Sequence, residues 1–316
     1  MRLIKPSVEI WDQEEGLNGV YKSIERAGRI CYKSSDKITE DSAEPFVDRM
    51  IKSLHHSMLE QGTVYLTIPR EDINYHIYLS KYRDNPYSEC RVAQTLEGIP
   101  VGSLYISTNY RVIIEHDWTD DLKYLCKPTK FHEKRISVHF TCDRGIWNEF
   151  IRHKTLQRGD DCEVYPIVNY DAEQNNSFAQ ESTRYCNFSK NKFNNEITYI
   201  IPSWLNIPEA EYGTIHDPKE IQFKKYTDSS EKEFINHLLN SEYRYFNLLK
   251  SGWTPQQARQ VLPNALKTEL IMTGYISDWK HFVDLRYRGT TGKPHPDAFY
   301  LAEKLYNLFK EKGIDV

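Results

Sequence analysis

Apolar and polar residues alternate at Thr63–Ile68, where Val64, Leu66 and Ile68 share one side of an expected strand that Pro69 ends. The same period returns more clearly at Ile136, Val138, Phe140 and Cys142, interleaved with Ser137, His139 and Thr141. Helical spacing governs other stretches. Val20–Lys33 puts Ile24, Ala27 and Cys31 on one face before the polar turn SSDK. A second helix is expected from Pro45, a good first helical position, with Phe46, Met50 and Leu54 aligned. From Ser229 a long helix presents Phe234, Leu238, Tyr245, Leu248 and Leu249 until Gly252 stops it. Thr254, Pro255 and Gln257 fit the N-cap, N1 and N3 positions of a capping box, opening a short helix with Ala258, Val261 and Leu262. Leu266–Ile276 is expected to continue as a second short helix and Trp279–Leu285 as another. The final helix, Asp297–Lys312, carries Ala298, Leu301, Leu305, Leu308 and Phe309 on one side. Short strands are expected at 101–106, 110–115 and Glu196–Ile201, and a loop over Pro208–Thr227.

The stretch from Asp143 to Tyr185 concentrates the chemistry. Asp143 is placed to cap a short helix whose apolar side is Ile146, Trp147, Phe150 and Ile151. Arg144, Asn148 and Arg152 fall at i, i+4 and i+8, so a helix would carry all three on its opposite face. His153 and Lys154 extend the basic end, where a helix dipole favours cations. A second compact group, Gln180, Glu181, Ser182, Arg184 and Tyr185, surrounds Thr183. By composition alone, a basic turn at a helix end is as readily a solvated cap as a ligand site. Two such groups converging would suit a phosphorylated, hydrogen-bonding ligand.

Composition narrows the alternatives. A chain of 316 residues, 39% hydrophobic and 27% charged, has enough apolar material for a real core. No run approaches the roughly twenty apolar residues of a membrane span. The start MRLIKPSVEIWDQEE lacks the apolar segment of a secretory signal, so a cytoplasmic location is expected. The formal charge of -4 argues against a broad nucleic-acid footprint, though not against a local basic pocket. Cys31, Cys90, Cys126, Cys142, Cys162 and Cys186 contain no CxxC pair, which favours free or buried thiols over a metal site or disulfide framework. No GxGxxG follows an expected strand, so a Rossmann domain is not indicated.

The segment RHK followed by SFAQESTRY resembles the signature of the flavin-dependent thymidylate synthases, Arg-His-Arg, a short spacer, then Ser-x-Arg-Tyr. Here Lys154 takes the third basic place, Ala179 stands where that family often has Asn, and the spacer is lengthened. HHSMLEQG resembles the family's His-x-Thr-Pro-x-Glu-His element at His55, Ser57 and Glu60, with Gln61 replacing the last His. ARQVLPNALKT (Ala258–Thr268), HFVDLRYRG (His281–Gly289) and AGRICYKS near the start match further family segments in order.

The resemblance implies a single α/β (α+β) domain over 1–316, with a central sheet flanked by helices and family-atypical insertions at 70–130 and 155–176. It implies a homotetramer with shared active sites. Arg152, His153, Lys154, Ser57 and His281 would bind FAD, with His55 and Glu60 supporting the pocket. Arg144, Glu149, Ser182, Arg184, Arg259 and Arg286 would surround dUMP, Glu149 lying where the family often has Gln. Arg286 would be catalytic, holding the uracil and favouring its N3-ionised form. The implied reaction is reductive methylation of dUMP to dTMP, with 5,10-methylenetetrahydrofolate as carbon donor and NADPH as reductant. Neither an active-site cysteine nor a metal, nucleic acid or membrane is implied. The alternatives are a nucleotide phosphoesterase and a non-catalytic nucleotide- or RNA-binding protein.

Overall fold

A computed structural model describes residues 1–92, 95–96, 99–100, 102–152, 165–166, 177–184, 186–190, 193, 195–217 and 229–316. Two short strands, β1 (Arg2–Ile4) and β2 (Ser7–Trp11), precede the helix α1 (Gly16–Cys31). Val20, Ile24 and Ala27 are buried along α1 as their spacing requires. In α2 (Ala43–Lys52), Phe46, Val47 and Met50 are buried. Leu54, expected on the same face, is 78% exposed and has a left-handed φ of 58°, because the helix has already ended.

The next stretch contains β3 (Thr63–Ile68), α3 (Tyr75–Arg83), β4 (Glu89–Val92), β5 (Thr95–Leu96), β6 (Ile99–Pro100), β7 (Leu104–Asn109) and α4 (Tyr110–Glu115). The expected strand at 110–115 is therefore a helix. Asn109 accepts a hydrogen bond from the Val112 amide at 3.2 Å, and this local cap decides between two readings that six residues of pattern leave open.

Beyond it run β8 (Arg135–Asp143), α5 (Arg144–Phe150), β9 (Tyr165–Pro166), β10 (Ser177–Gln180), β11 (Thr198–Ile200), β12 (Ala210–Glu211) and the long helix α6 (Ser229–Lys250). Gly252, with φ of 90°, follows α6 where the stop was expected. The chain then forms α7 (Pro255–Ala258), β13 (Lys267–Tyr275), α8 (Ile276–Val283) and α9 (Pro296–Glu311). The capping box forms, with Gln257 Oε1 accepting from the Thr254 amide at 2.9 Å.

The expected helix at Leu266–Ile276 is instead β13, a strand buried from Thr268 to Tyr275. A strand covered on both faces loses its alternation, and a continuous apolar run reads equally as a buried helix. β13 lies inside the four-stranded sheet β10-β13-β8-β2, in which every pairing is antiparallel. This is an α+β architecture rather than a parallel Rossmann sheet. Separate sheets are β3-β7-β4-β9, β11-β1-β12 and the hairpin β5-β6.

Alternate residues divide the central sheet into two faces. Leu270 and Met272, with Val138, Phe140 and Cys142, pack against Ile146 and Phe150 of α5, Trp279 and Phe282 of α8, and Leu301, Leu305 and Phe309 of α9. Burying each of these large side chains contributes about 1.5–3 kcal/mol. Ile271 and Ala179 face the other way, onto Ala27, Ile30 and Met58.

Candidate active site

The end of the sheet where β8 passes into α5 gathers Arg144, Ser182, Arg184 and Arg259, four of the six residues expected around dUMP. Lys267 is in register with Asp143, so the start of β13 lies beside the start of α5. Asp143 accepts a hydrogen bond from the Ile146 amide at 2.9 Å, the N-cap expected from the sequence. Burial raises this carboxyl, while the Ile146 and Gly145 amides pull it back. The Arg144 amide donates to the Asn264 carbonyl at 2.9 Å, tying α5 to the loop before β13. Burial lowers the Arg144 guanidinium, as does the positive charge of Arg259, and Glu181 opposes both. These three side chains are thus electrostatic neighbours.

The second sequence cluster reaches the same place. β10 leads into Glu181, whose amide donates to the Glu269 carbonyl at 2.9 Å. Its carboxylate meets the Lys267 ammonium at 2.8 Å. The Ser182 amide donates to the Cys31 carbonyl at 3.1 Å, and the Ser182 hydroxyl accepts from the Arg184 amide at 3.3 Å. Arg259 donates to the Thr183 hydroxyl at 2.8 Å. Arg144, Arg259 and the 181–184 segment therefore form one group, with Ser182 half-buried and Arg184 exposed. Ala179 is buried against apolar neighbours. Tyr185 lies outside the described residues.

Glu149 and Arg286 meet near the other end of α5, roughly 7 Å along its axis from Arg144 at helical rise. Arg286 Nη1 donates to the Glu149 carboxylate at 2.7 Å and its Nη2 to the Glu149 carbonyl at 3.1 Å. Arg286 sits in a π-helical turn, Asp284–Arg288, a distortion frequent at functional sites. Gly289, with φ of 69°, closes that turn; a Cβ there would lie 3.1 Å from the Gly292 carbonyl. His281 is half-buried on α8. Arg152, expected on one helical face with Arg144 and Asn148, lies in the exposed turn after α5, its amide donating to the Glu149 carbonyl at 3.3 Å.

His55, Ser57 and Glu60 occupy the tight turn before β3. His55 Nδ1 is 2.9 Å from the Tyr32 hydroxyl, and Glu60 pairs with Arg111 at 2.5 Å. Gln61 is buried, accepting from the Thr273 hydroxyl at 2.7 Å. Cys31 links this turn to the site: its thiol donates to Met58 at 3.8 Å, and its carbonyl holds Ser182. Burial pushes the Cys31 thiol up to about 11 and also raises Cys90, Cys126 and Cys142, so none of these four is poised as a thiolate.

Among the described residues, Ser57 does not gather with Arg152 and His281 within one chain. The Ser57 turn packs on the α1 side of the sheet through Met58, whereas α5 and α8, which lead to Arg152 and carry His281, cover the opposite face. His153 and Lys154 lie outside the described residues. Lys267 and Glu269 escaped sequence reasoning, because their segment read as a helix. Their i, i+2 spacing places them on one face once it is a strand.

The sequence model of the Thymidylate synthase complementing protein family matches residues 123–312. Two crystal structures are similar to the chain: the UMP/dUMP methylase PolB from Streptomyces cacaoi bound with 5-Br dUMP, and the same enzyme bound with 5-Br UMP. The first shares 14% identity over 98% of this chain and 93% of that one, with a TM-score of 0.40. The second shares 13% identity over 98% and 92%, with a TM-score of 0.41. No curated protein sequence matches. Among the described residues, no helix is long and apolar enough to cross a membrane, and no group of three or more His, Cys, Asp or Glu could hold a metal ion.

Proposed function

Because the chain belongs to the Thymidylate synthase complementing protein family, the flavin-dependent thymidylate synthases, we propose that it methylates dUMP to dTMP reductively. The overall balance is dUMP, 5,10-methylenetetrahydrofolate, NADPH and a proton giving dTMP, tetrahydrofolate and NADP⁺. The observation that carries the reading is the gathering of Arg144, Arg259 and the Ser182–Arg184 turn at one end of α5, with Arg286 near the other. A nucleoside monophosphate has that division: an anionic end for the first group, and a flat oxygen-rich base for the second.

Each residue has a physical task in this reading. Arg184 and the Ser182 hydroxyl would bind the phosphate, with Arg144 and Arg259 supplying charge in a partly desolvated setting where it acts more strongly. Arg286, its guanidinium plane fixed by two bonds to Glu149, would present donors to the uracil edge. Ionisation at N3 puts negative charge on the pyrimidine and makes C5 the nucleophile, and a preorganised cation at the uracil edge stabilises that ionised form.

FAD is the cofactor of this reading, and when bound it would supply hydride chemistry that no side chain provides. Arg152 would hold its phosphates together with His153 and Lys154, and Ser57 and His281 would contact other parts of it. Among the described residues, the Ser57 turn packs on one face of the sheet and α5 and α8, which lead to Arg152 and carry His281, on the other. In this reading the Ser57 turn of one copy would meet the Arg152 turn of another around one cofactor, within a homotetramer with shared sites. The test is anaerobic incubation of the protein with FAD, NADPH, dUMP and methylenetetrahydrofolate, omitting each in turn. The expected result is dTMP only in the complete mixture; FAD reduced by NADPH without dTMP would reject the reading.

A further inference from the structure

We propose that Lys267 is a positioning residue for the candidate nucleotide site, holding the Glu181 carboxylate and through it the Ser182–Arg184 turn; this rests on the nucleotide reading above. The Lys267 ammonium lies between two carboxylates, bonded to Glu181 at 2.8 Å and paired with Glu269. Glu181 is 5% exposed and Glu269 9%. The backbone brings them side by side, since the Glu181 amide donates to the Glu269 carbonyl at 2.9 Å. Two nearly buried carboxylates so close repel unless a cation separates them.

Every packed element contributes charge to this pair. Lys33, just after α1, meets Glu269 at 2.6 Å. His139 on β8 lies 3.2 Å from the other Glu269 oxygen and 2.8 Å from Glu9 on β2. Arg144 on α5 interacts with Glu181 and with Arg259, and the Cys31 thiol also faces Glu181. Burial alone would raise the Glu269 carboxyl, yet His139, Lys267 and Lys33 hold it well below the usual carboxylate range. Glu269 is therefore a fixed negative anchor that orients Lys267 toward Glu181.

The consequence reaches the ligand because Glu181 precedes Ser182 directly. Thr183 receives Arg259, so a displaced Glu181 carries the turn away from the arginines that would share the phosphate. Lys267 need not touch the nucleotide to set its affinity.

The experiment compares dUMP binding by calorimetry for the unaltered protein, Lys267→Arg, Lys267→Met and the double variant Lys267→Met/Glu269→Gln, at about pH 6 and about pH 8. Dividing by the unaltered protein's profile removes the titration of the dUMP phosphate, which all share. Lys267→Arg keeps near-unaltered affinity. Lys267→Met binds about tenfold more weakly at the higher pH and recovers at the lower one, where a proton relieves the carboxylate pair. The double variant, which removes one charge of each sign and is the safer to fold, binds about tenfold more weakly at both. It raises KM for dUMP and leaves kcat unchanged. A Lys267→Met profile parallel to the unaltered one, or a double variant that binds as tightly as the unaltered protein, overturns the positioning role alone. Absence of dUMP binding by the unaltered protein overturns the nucleotide reading and this proposal together.

Discussion

Glu149 accepts two hydrogen bonds from one arginine fork, its carboxylate and its own main-chain carbonyl each receiving a different nitrogen of Arg286. That pairing fixes the guanidinium plane against α5 before any substrate arrives. The Arg286 side chain retains 19% exposure, so the pair is neither dry nor freely solvated. Arg286→Ala is expected to lower kcat for dTMP formation by about 10²–10³-fold, the magnitude seen when one preorganised charge stabiliser is lost. FAD content should stay near that of the unaltered protein. Unchanged dTMP formation would remove Arg286 from the chemistry.

Arg259 offers a test confined to nucleotide affinity. Its bond to Thr183 joins the segment after α7 to the 181–184 turn, and it faces Arg144 across the same space. A charge-assisted hydrogen bond contributes about 1.5–3 kcal/mol, so Arg259→Ala should weaken dUMP binding by about ten- to a hundredfold. Arg259→Lys should recover only part, because a lysine keeps the charge and lacks the fork. Calorimetric titration with dUMP checks both, with circular dichroism to confirm folding.

Much of the frame was legible in the periodicity because single-faced burial preserves it. β8 alternates, α9 carries its apolar stripe, and Asp143 caps α5 as its side chain suggests. β13 was misread because both its faces are covered, and with it went Lys267 and Glu269, which fell inside the expected helix. Leu54 continued a helical pattern past the point where the backbone leaves the helix. Arg144, Glu149, Arg259 and Arg286 were visible as motif residues. The contacts of Arg259 with Thr183 and of Glu181 with Lys267 were not, since they join positions far apart in sequence.

The helical face of the central sheet should be the costliest place to leave a hole. Phe309 is fully buried beside Trp279, with ring centroids 5.9 Å apart. Phe309→Ala is expected to destabilise the protein by about 3–5 kcal/mol, read as a lower urea midpoint with an unchanged slope. A loss under about 1 kcal/mol would mean that this helix does not seal the core.

His132 gives the fold a pH dependence whose sign is fixed by its burial. Burial pushes its imidazole below the ordinary value of 6.5, opposed by its bond to the Leu66 carbonyl and aided by Arg91. The folded chain therefore resists protonation there more than the unfolded chain does. Its contribution is fully present above 6.5 and is lost as pH falls from there through the depressed folded value. The urea midpoint should fall between about pH 7 and about pH 5, and His132→Gln should flatten that fall. An equal slope in both proteins would assign the acid sensitivity to other groups.

The most direct measurement of the central claim is the folate product formed alongside dTMP, quantified by liquid chromatography and mass spectrometry after anaerobic turnover with FAD and NADPH. The account predicts dTMP and tetrahydrofolate in equal amounts. Dihydrofolate accumulating in step with dTMP, or no dTMP from protein whose bound FAD is reduced by NADPH, would contradict it.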